Sequence, residues 1–275
     1  MKQLTKPAYI ILTLCLFMIL GSCSKNTNST QPNNNTGGGG MSIFPTTINS
    51  YWVYNTYSLD SLGKLDTKVK PTFDSMVVAG NINILQKDAQ IFRTFAQNAT
   101  GANDTTDNYF YSTSNSINVH SSYFNNLTKQ FPALFQSYLN SMFKIKEQWL
   151  LVVDADHLQW LVLDQPIDTG ANIMGFKVTG NIQIIGAQGN NKEIQIGGQN
   201  FTAKEYIMTF NFNGSIMYNS IPIPLPITRK SHFYFVENIG MVENYTENSS
   251  FSIPLAGSYP IPGSDQVILK YNVSK

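Results

Sequence analysis

From Tyr51 onward the dominant period of this chain is two. Trp52, Tyr54, Thr56 and Ser58 alternate with Tyr51, Val53, Asn55 and Tyr57, and similar alternation recurs over Phe73–Ala79, Ile91–Ala96, Tyr109–Thr113 and Lys204–Phe212. Successive side chains of a strand point to opposite faces, so this period selects sheet over helix. Between such runs stand Ser61-Leu62-Gly63, Ala79-Gly80-Asn81, Thr100–Asp107, Gly186–Asn191, Gly197-Gly198 and Asn213-Gly214-Ser215. They are rich in residues that tolerate positive φ or close Asx turns, and are predicted as turns. The expected fold class is all-β, mainly antiparallel, as a sandwich or an open curved sheet.

Three segments depart from simple alternation. Phe131, Leu134, Phe135, Tyr138, Leu139, Met142 and Phe143 form an apolar stripe of helical period beside Pro132, which predicts one packed α-helix over 132–144. Trp149–Val153 and Leu158–Leu163 are apolar at nearly every position and flank Asp154-Ala155-Asp156-His157. They read as a hairpin in a central location covered on both faces. Ile221–Ile227 alternates aliphatics with Pro222, Pro224 and Pro226; proline lacks the ladder donor, so an edge strand or a polyproline II segment is expected there, not a central strand. Farther on, His232–Val236, a turn at Glu237–Gly240 and Met241–Tyr245 read as a hairpin, and Val267–Val273 as a closing strand.

The first 40 residues are of another kind. Lys2 and Lys6 precede an apolar run from Ala8 to Leu20, followed by Gly21, Ser22 and Cys23, the layout of a secretory signal. The run is shorter than the roughly 20 apolar residues that a membrane-spanning helix needs. From Ser24 to Gly40 the sequence SKNTNSTQPNNNTGGGG offers no apolar residue to a core and reads as a flexible leash, with a reach of roughly 20–25 Å. The expected organisation is a signal peptide over 1–22, Cys23 with its linker over 23–40, and one β-rich domain over 41–275. The two cysteines, Cys15 and Cys23, both lie in these leading segments, so the globular part has no thiol for a disulfide or a cysteine metal site.

Charge narrows the partners. The chain has 18 basic and 17 acidic residues, which becomes 16 against 17 once Lys2 and Lys6 leave with the leader. The local pair Arg229-Lys230 is too small to be the phosphate-binding stripe of a nucleic-acid partner, so none is expected.

Leu20-Gly21-Ser22-Cys23 resembles a bacterial lipobox. The resemblance implies cleavage before Cys23, a diacylglyceryl thioether on its sulfur and an acylated amine, so that the lipidated (palmitate-class) Cys23 tethers the protein to a membrane. The lipobox, the polar leash, the strand Ser50-Tyr51-Trp52-Val53-Tyr54 and the stretch Phe233–Val242 together resemble β-rich lipoproteins of the Bacteroidota. That likeness implies a fold class and a compartment and transfers no activity. Relatives of this kind often carry an acidic surface-export signal after the lipid cysteine. Ser24-Lys25-Asn26-Thr27 has no carboxylate, which favours an outer-membrane lipoprotein facing the periplasm over surface display. Asp60-Ser61-Leu62, Asp74-Ser75-Met76 and Asp104-Thr105-Thr106 resemble the O-glycosylation acceptor motif of that phylum, which implies Ser61, Ser75 and Thr105 as acceptors.

Chemistry is sparse. Asp154, Asp156 and His157 form the tightest titratable group, with Asp164 and Asp168 downstream, and are the weak candidates for a hard metal or an acid/base pair. A hairpin turn with polar residues is the commoner explanation. His120 and His232 lack linked ligand spacing, and no Gly-x-Ser-x-Gly elbow, Gly-x-Gly-x-x-Gly or P-loop occurs. No catalytic residue, metal or cofactor is therefore assigned. The expected function is a membrane-anchored, non-catalytic β-rich domain that binds an envelope protein, glycan or lipid, with Tyr109, Tyr111, Tyr123 and Tyr259 as contact residues. A carrier with a hydrophobic ligand between curved sheet and helix, and a hydrolase using the Asp154–His157 turn, are the alternatives.

Overall fold

The computed structural model describes residues 43–97, 103–124, 145–173, 176–218, 221–253 and 257–274. Its first half contains β1 (Tyr51–Ser58), β2 (Thr72–Ile84), β3 (Lys87–Gln97), β4 (Asn103–Ser112), β5 (Ser116–His120) and β6 (Trp149–Asp154). β7 (Gln159–Ile173), β8 (Phe176–Gln188), β9 (Lys192–Ile196), β10 (Gln199–Tyr218) and β11 (Ile221–Val236) follow. β12 (Gly240–Thr246), β13 (Ser249–Ile253), β14 (Gly257–Ile261) and β15 (Ser264–Asn272) complete the chain. The fold is all-β and antiparallel. The predicted helix over 132–144 and the anchor at Cys23 lie outside the described residues.

One sheet dominates, in the order β6-β5-β4-β3-β2-β1-β15-β12-β11-β10-β8-β7, with β9 paired to β10. β1 to β6 form one meander; β7, β8, β10, β11, β12 and β15 form the other half, β13 and β14 pair with each other as a separate two-stranded sheet, and the first and last strands join the halves. Tyr51 faces Asn272 and Ser58 faces Ser264, with a single register shift at Val53/Tyr54.

Alternating burial gives the sheet an inner face, shared by Trp52 and Tyr54 on β1, Met76 and Val78 on β2 and Phe92 on β3. Phe44, from the segment before β1, stacks on Phe92 with ring centroids 4.5 Å apart and meets Phe110 and Phe235 edge to face. The fully buried Trp52 donates its indole N–H to the Ile239 carbonyl at 2.5 Å, and the Tyr54 hydroxyl donates to the Met241 carbonyl at 3.0 Å. Both polar tips are thus satisfied inside an aromatic core.

The two apolar runs around Asp154–His157 correct the sequence reading. They become β6 and β7, yet β6 pairs with β5 and β7 with β8, so they form no hydrogen-bonded hairpin and stand at the two ends of the sheet order instead of its centre. The dense apolar run in β7 has a local cause. A register shift between Leu161 and Leu163 turns both Val162 and Leu163 inward and leaves Leu161 58% exposed, so the run marks a β-bulge and not a doubly covered strand.

Curvature brings these two end strands together without a ladder. The Trp160 indole N–H donates to the Leu151 carbonyl at 2.9 Å, and the Gln188 amide donates to the carbonyls of Ala155 and His157 at 2.9 and 3.1 Å. Gly186, paired with Trp160, makes room for that indole: a Cβ there would lie 2.1 Å from its Cε2.

Several predicted turns also fall inside strands. Gly80 follows a bulge at Ala79 and pairs with Ile91 within β2, Asn103–Asp107 belongs to β4, and Asn213-Gly214-Ser215 pairs on both sides within β10. The β2–β3 turn is instead Leu85-Gln86, both at positive φ (49° and 62°), whereas Gly197-Gly198 makes the β9–β10 turn at 58° and 85° as expected. The proline segment is the start of β11. Over 221–230 only β10 pairs with it, since the β12 ladder begins at Ser231. The prolines share one parity, so their missing donors all face the unpaired side, as an edge requires.

Gly186→Ala is expected to displace Trp160 and lower unfolding free energy by about 1–3 kcal/mol. Urea denaturation with tryptophan fluorescence checks this against Gly80→Ala, whose Cβ would meet only Ile91 Cδ1 at 3.9 Å and which should cost less than half as much.

Candidate functional site

The turn between β6 and β7 brings two of its three candidates together. The Asp154 carboxylate is buried; Oδ1 accepts the Asp156 backbone N–H at 2.9 Å and Oδ2 meets His157 Nδ1 at 2.7 Å. Burial works to raise this carboxyl, but the bonds from Asp156 and His157 outweigh it and hold it below its ordinary value. Asp156 turns elsewhere and accepts from the Asn115 amide at 2.9 Å. The carboxylate orients the imidazole, and His157 is otherwise 70% exposed. Among the described residues no hydroxyl or third carboxylate shares the imidazole, and no group of three metal-ligating side chains occurs. Asp164 accepts from Asn181 at 2.6 Å on an exposed part of β7, and Asp168 lies opposite Thr179.

The other predicted residues are dispersed. Ser61 is exposed in the turn after β1, Thr105 is exposed on β4, and Ser75 is half-buried in β2 between Val53 and Phe95. Tyr109 and Tyr111 pack edge to face on His120 and Trp149 respectively, while burial pushes the Tyr123 hydroxyl up to about 12. Tyr109 and Tyr111 are joined through the edge-to-face contact of His120 with Trp149, whereas Tyr123 packs on Phe110 and Phe124. Tyr259 lies opposite Phe251 in the β13–β14 hairpin.

His232 is tied into a network on the face opposite the core. Its Nδ1 meets Glu205 at 2.7 Å and its Nε2 meets Glu247 at 2.9 Å; Glu205 also accepts from the Tyr234 hydroxyl at 2.8 Å and the Asn190 backbone N–H at 2.7 Å. Lys192 reaches Glu243 at 2.6 Å and sits 3.9 Å over the Tyr234 ring, which clips β9 to the main sheet. Burial tends to raise Glu205, but these donors prevail and keep it ionised below the usual carboxylate range.

The most unusual feature is one that sequence reading missed, a band of polar side chains on the inner face below the aromatic layer. Asp74 on β2 is 3% exposed and accepts from Thr56 on β1 and, at 3.5 Å, from Gln266 on β15. Asn244 and Thr246 continue the band on β12, and Ser231 on β11 meets the Thr246 hydroxyl at 3.0 Å. Arg229 is the next inward residue of β11; its Nη2 donates to the Pro262 carbonyl at 3.0 Å. Buried Nε and Nη1 of Arg229 and Oδ1 of Asn244 have no partner. The signal was present in the alternation, because Asp74 shares parity with Met76 and Val78, and Gln266 with Ile268. A polar residue at an apolar parity marks such a site.

Burial pushes the Asp74 carboxyl up to about 7, against the opposing bonds from Thr56 and Gln266. Such a group favours the folded state below its unfolded value near 4 and loses that contribution as pH rises through 7.

No model of a known protein family and no curated protein matches the chain. Among solved structures, a candidate lipoprotein of Parabacteroides distasonis aligns at 11% identity and a TM-score of 0.46, covering 86% of this chain and all of its own. A candidate exported protein of Bacteroides fragilis with a YmcC-like fold aligns at 11% identity and a TM-score of 0.39, covering 84% of this chain and 99% of its own. Likenesses this distant say nothing about what the chain binds.

From pH 4 to pH 8 the stability of the wild type relative to Asp74→Asn should fall by on the order of 3 kcal/mol, read from urea midpoints across that range. A flat difference would place Asp74 in a wetter setting than the inner face.

Proposed function

We propose that this chain is a lipid-anchored outer-membrane protein of the bacterial envelope whose β-sheet domain binds a ligand or partner without transforming it. The observation that carries the reading is Leu20-Gly21-Ser22-Cys23 at the end of a 13-residue apolar run, followed by a leash with no apolar residue. An apolar run too short to span, joined to a cysteine at the boundary, is the layout of an acylated protein. Each buried methylene contributes about 0.8 kcal/mol, so several chains on one residue hold a domain at the bilayer. The absence of a carboxylate in Ser24–Thr27 supports the periplasmic side.

Binding is supported by the inner face of the sheet. Polar groups without partners are rare in interiors, and those of Arg229 and Asn244 lie on the adjacent strands β11 and β12 beside a packed aromatic layer. A carrier of a hydrophobic ligand is the second reading, favoured by a single sheet curved until β6 meets β7. Phe44, Trp52 and Phe92 occupy the aromatic end themselves, which confines any such ligand to the other end.

Expression of wild type and Cys23→Ala with labelled palmitate tests the anchor. Label and membrane-fraction protein are expected for the wild type alone, with Cys23→Ala recovered in the soluble fraction. Equal membrane partitioning of both would overturn the reading.

A further inference from the structure

Arg229 is a cation without an answer in the fold. It is 7% exposed, only Nη2 among its nitrogens has a partner, and it enters no ion pair with a carboxylate of the described residues. Burial pushes the guanidinium down to about 9, which leaves it charged at neutral pH. A buried, uncompensated charge is strongly unfavourable, and carbonyl oxygens alone do not neutralise it.

Its surroundings define what would. Across the ladder stands Phe210 with Ile184 beyond it, and Ile227 lies two residues back on β11. In the other direction come the hydroxyls of Ser231 and Thr246 and the unpartnered Asn244 Oδ1. The guanidinium thus sits where an apolar flank meets a neutral, hydrogen-bonding one. β11 has a ladder partner on one side only at this level, since the β12 ladder starts at Ser231; on the far side the Glu247 N–H donates to the Lys230 carbonyl at 3.0 Å, the Ser249 hydroxyl donates to the Thr228 carbonyl and the Pro262 carbonyl takes Nη2, so a ligand entering there displaces these contacts and no β11 ladder.

We propose that Arg229 and the polar band beside it form a binding site for a monoanionic carboxylate, which accepts the guanidinium N–H groups that the fold leaves unmatched. One positive charge is balanced by one negative charge, whereas a phosphate dianion would bring a second, unbalanced charge into the same low-dielectric setting. Planar donors match the geometry of carboxylate oxygens, and the apolar flank suits the hydrocarbon part of an organic acid. The inference rests on the binding reading above and names its ligand class.

Thermal unfolding of the full chain tests it, with acetate, benzoate and laurate as probes and with phosphate, dodecanol and matched sodium chloride as controls. A carboxylate at a hundredfold excess over its Kd should raise the wild-type Tm by roughly 5–10 °C. Response to all three acids indicates a small free acid, and response to laurate alone a long-chain one; both support the site. Arg229→Met should fold, because an apolar side chain of similar volume replaces a buried charge, and should lose the response. Arg229→Lys, which keeps the charge but not the planar donors, should bind about tenfold more weakly. No shift with any carboxylate, a shift with phosphate alone, or a wild-type response in either variant would overturn the proposal. The Cys23→Ala experiment reads the tether alone, so that outcome would leave the anchoring reading intact.

Discussion

The pairing of β1 with β15 is the contact on which the rest of the sheet depends. The first half is a meander whose strands meet their sequence neighbours, the second half follows the order β7-β8-β10-β11-β12-β15, and only this ladder makes the halves one sheet. Its partners are separated by almost the whole folded sequence, so its entropy of closure is large and must be offset by what it brings together. Trp52 does much of that offsetting, since it lies at the join, is fully buried and bonds to a carbonyl 187 residues away. The opposite seam, between β6 and β7, needs no such ladder because the chain is continuous there.

The elements legible in the sequence were those whose signal is local. The β1 strand, the β11–β12 hairpin, the Gly197-Gly198 turn and the edge character of Ile221–Ile227 follow from alternation, positive φ and a missing donor. Errors arose where a local signal had a non-local resolution. Gly80 and Gly214 look like turns alone but are absorbed by ladders, Gly80 with β3 and Gly214 with strands on both sides, and a bulge in β7 mimicked a doubly buried strand. Conversely, Leu85-Gln86 turns the chain with no glycine or asparagine to announce it.

Legibility of the candidate site followed the same division. Asp154 and His157 were visible as sequence neighbours and do touch, but they spend their hydrogen bonds shaping a turn. Asp74, Asn244, Gln266 and Arg229 come from four strands and become neighbours only through register. The outer network around Glu205 holds its charges ionised with several donors, whereas the inner band leaves Asp74 underserved and drives it toward neutrality. Two carboxylates of one sheet thus titrate in opposite directions according to the donors that each one gathers.

The three prolines of β11 carry a consequence for how these molecules share a crowded space. An unprotected strand edge is a template on which a neighbouring copy can add its own backbone and begin an aggregate. Pro222, Pro224 and Pro226 present ring carbons at every position where such an intruder would seek a donor, over the stretch that β12 leaves uncovered. The long arm of β7, β8, β10 and β11 can therefore extend past the end of the β12 ladder and still refuse self-templating growth.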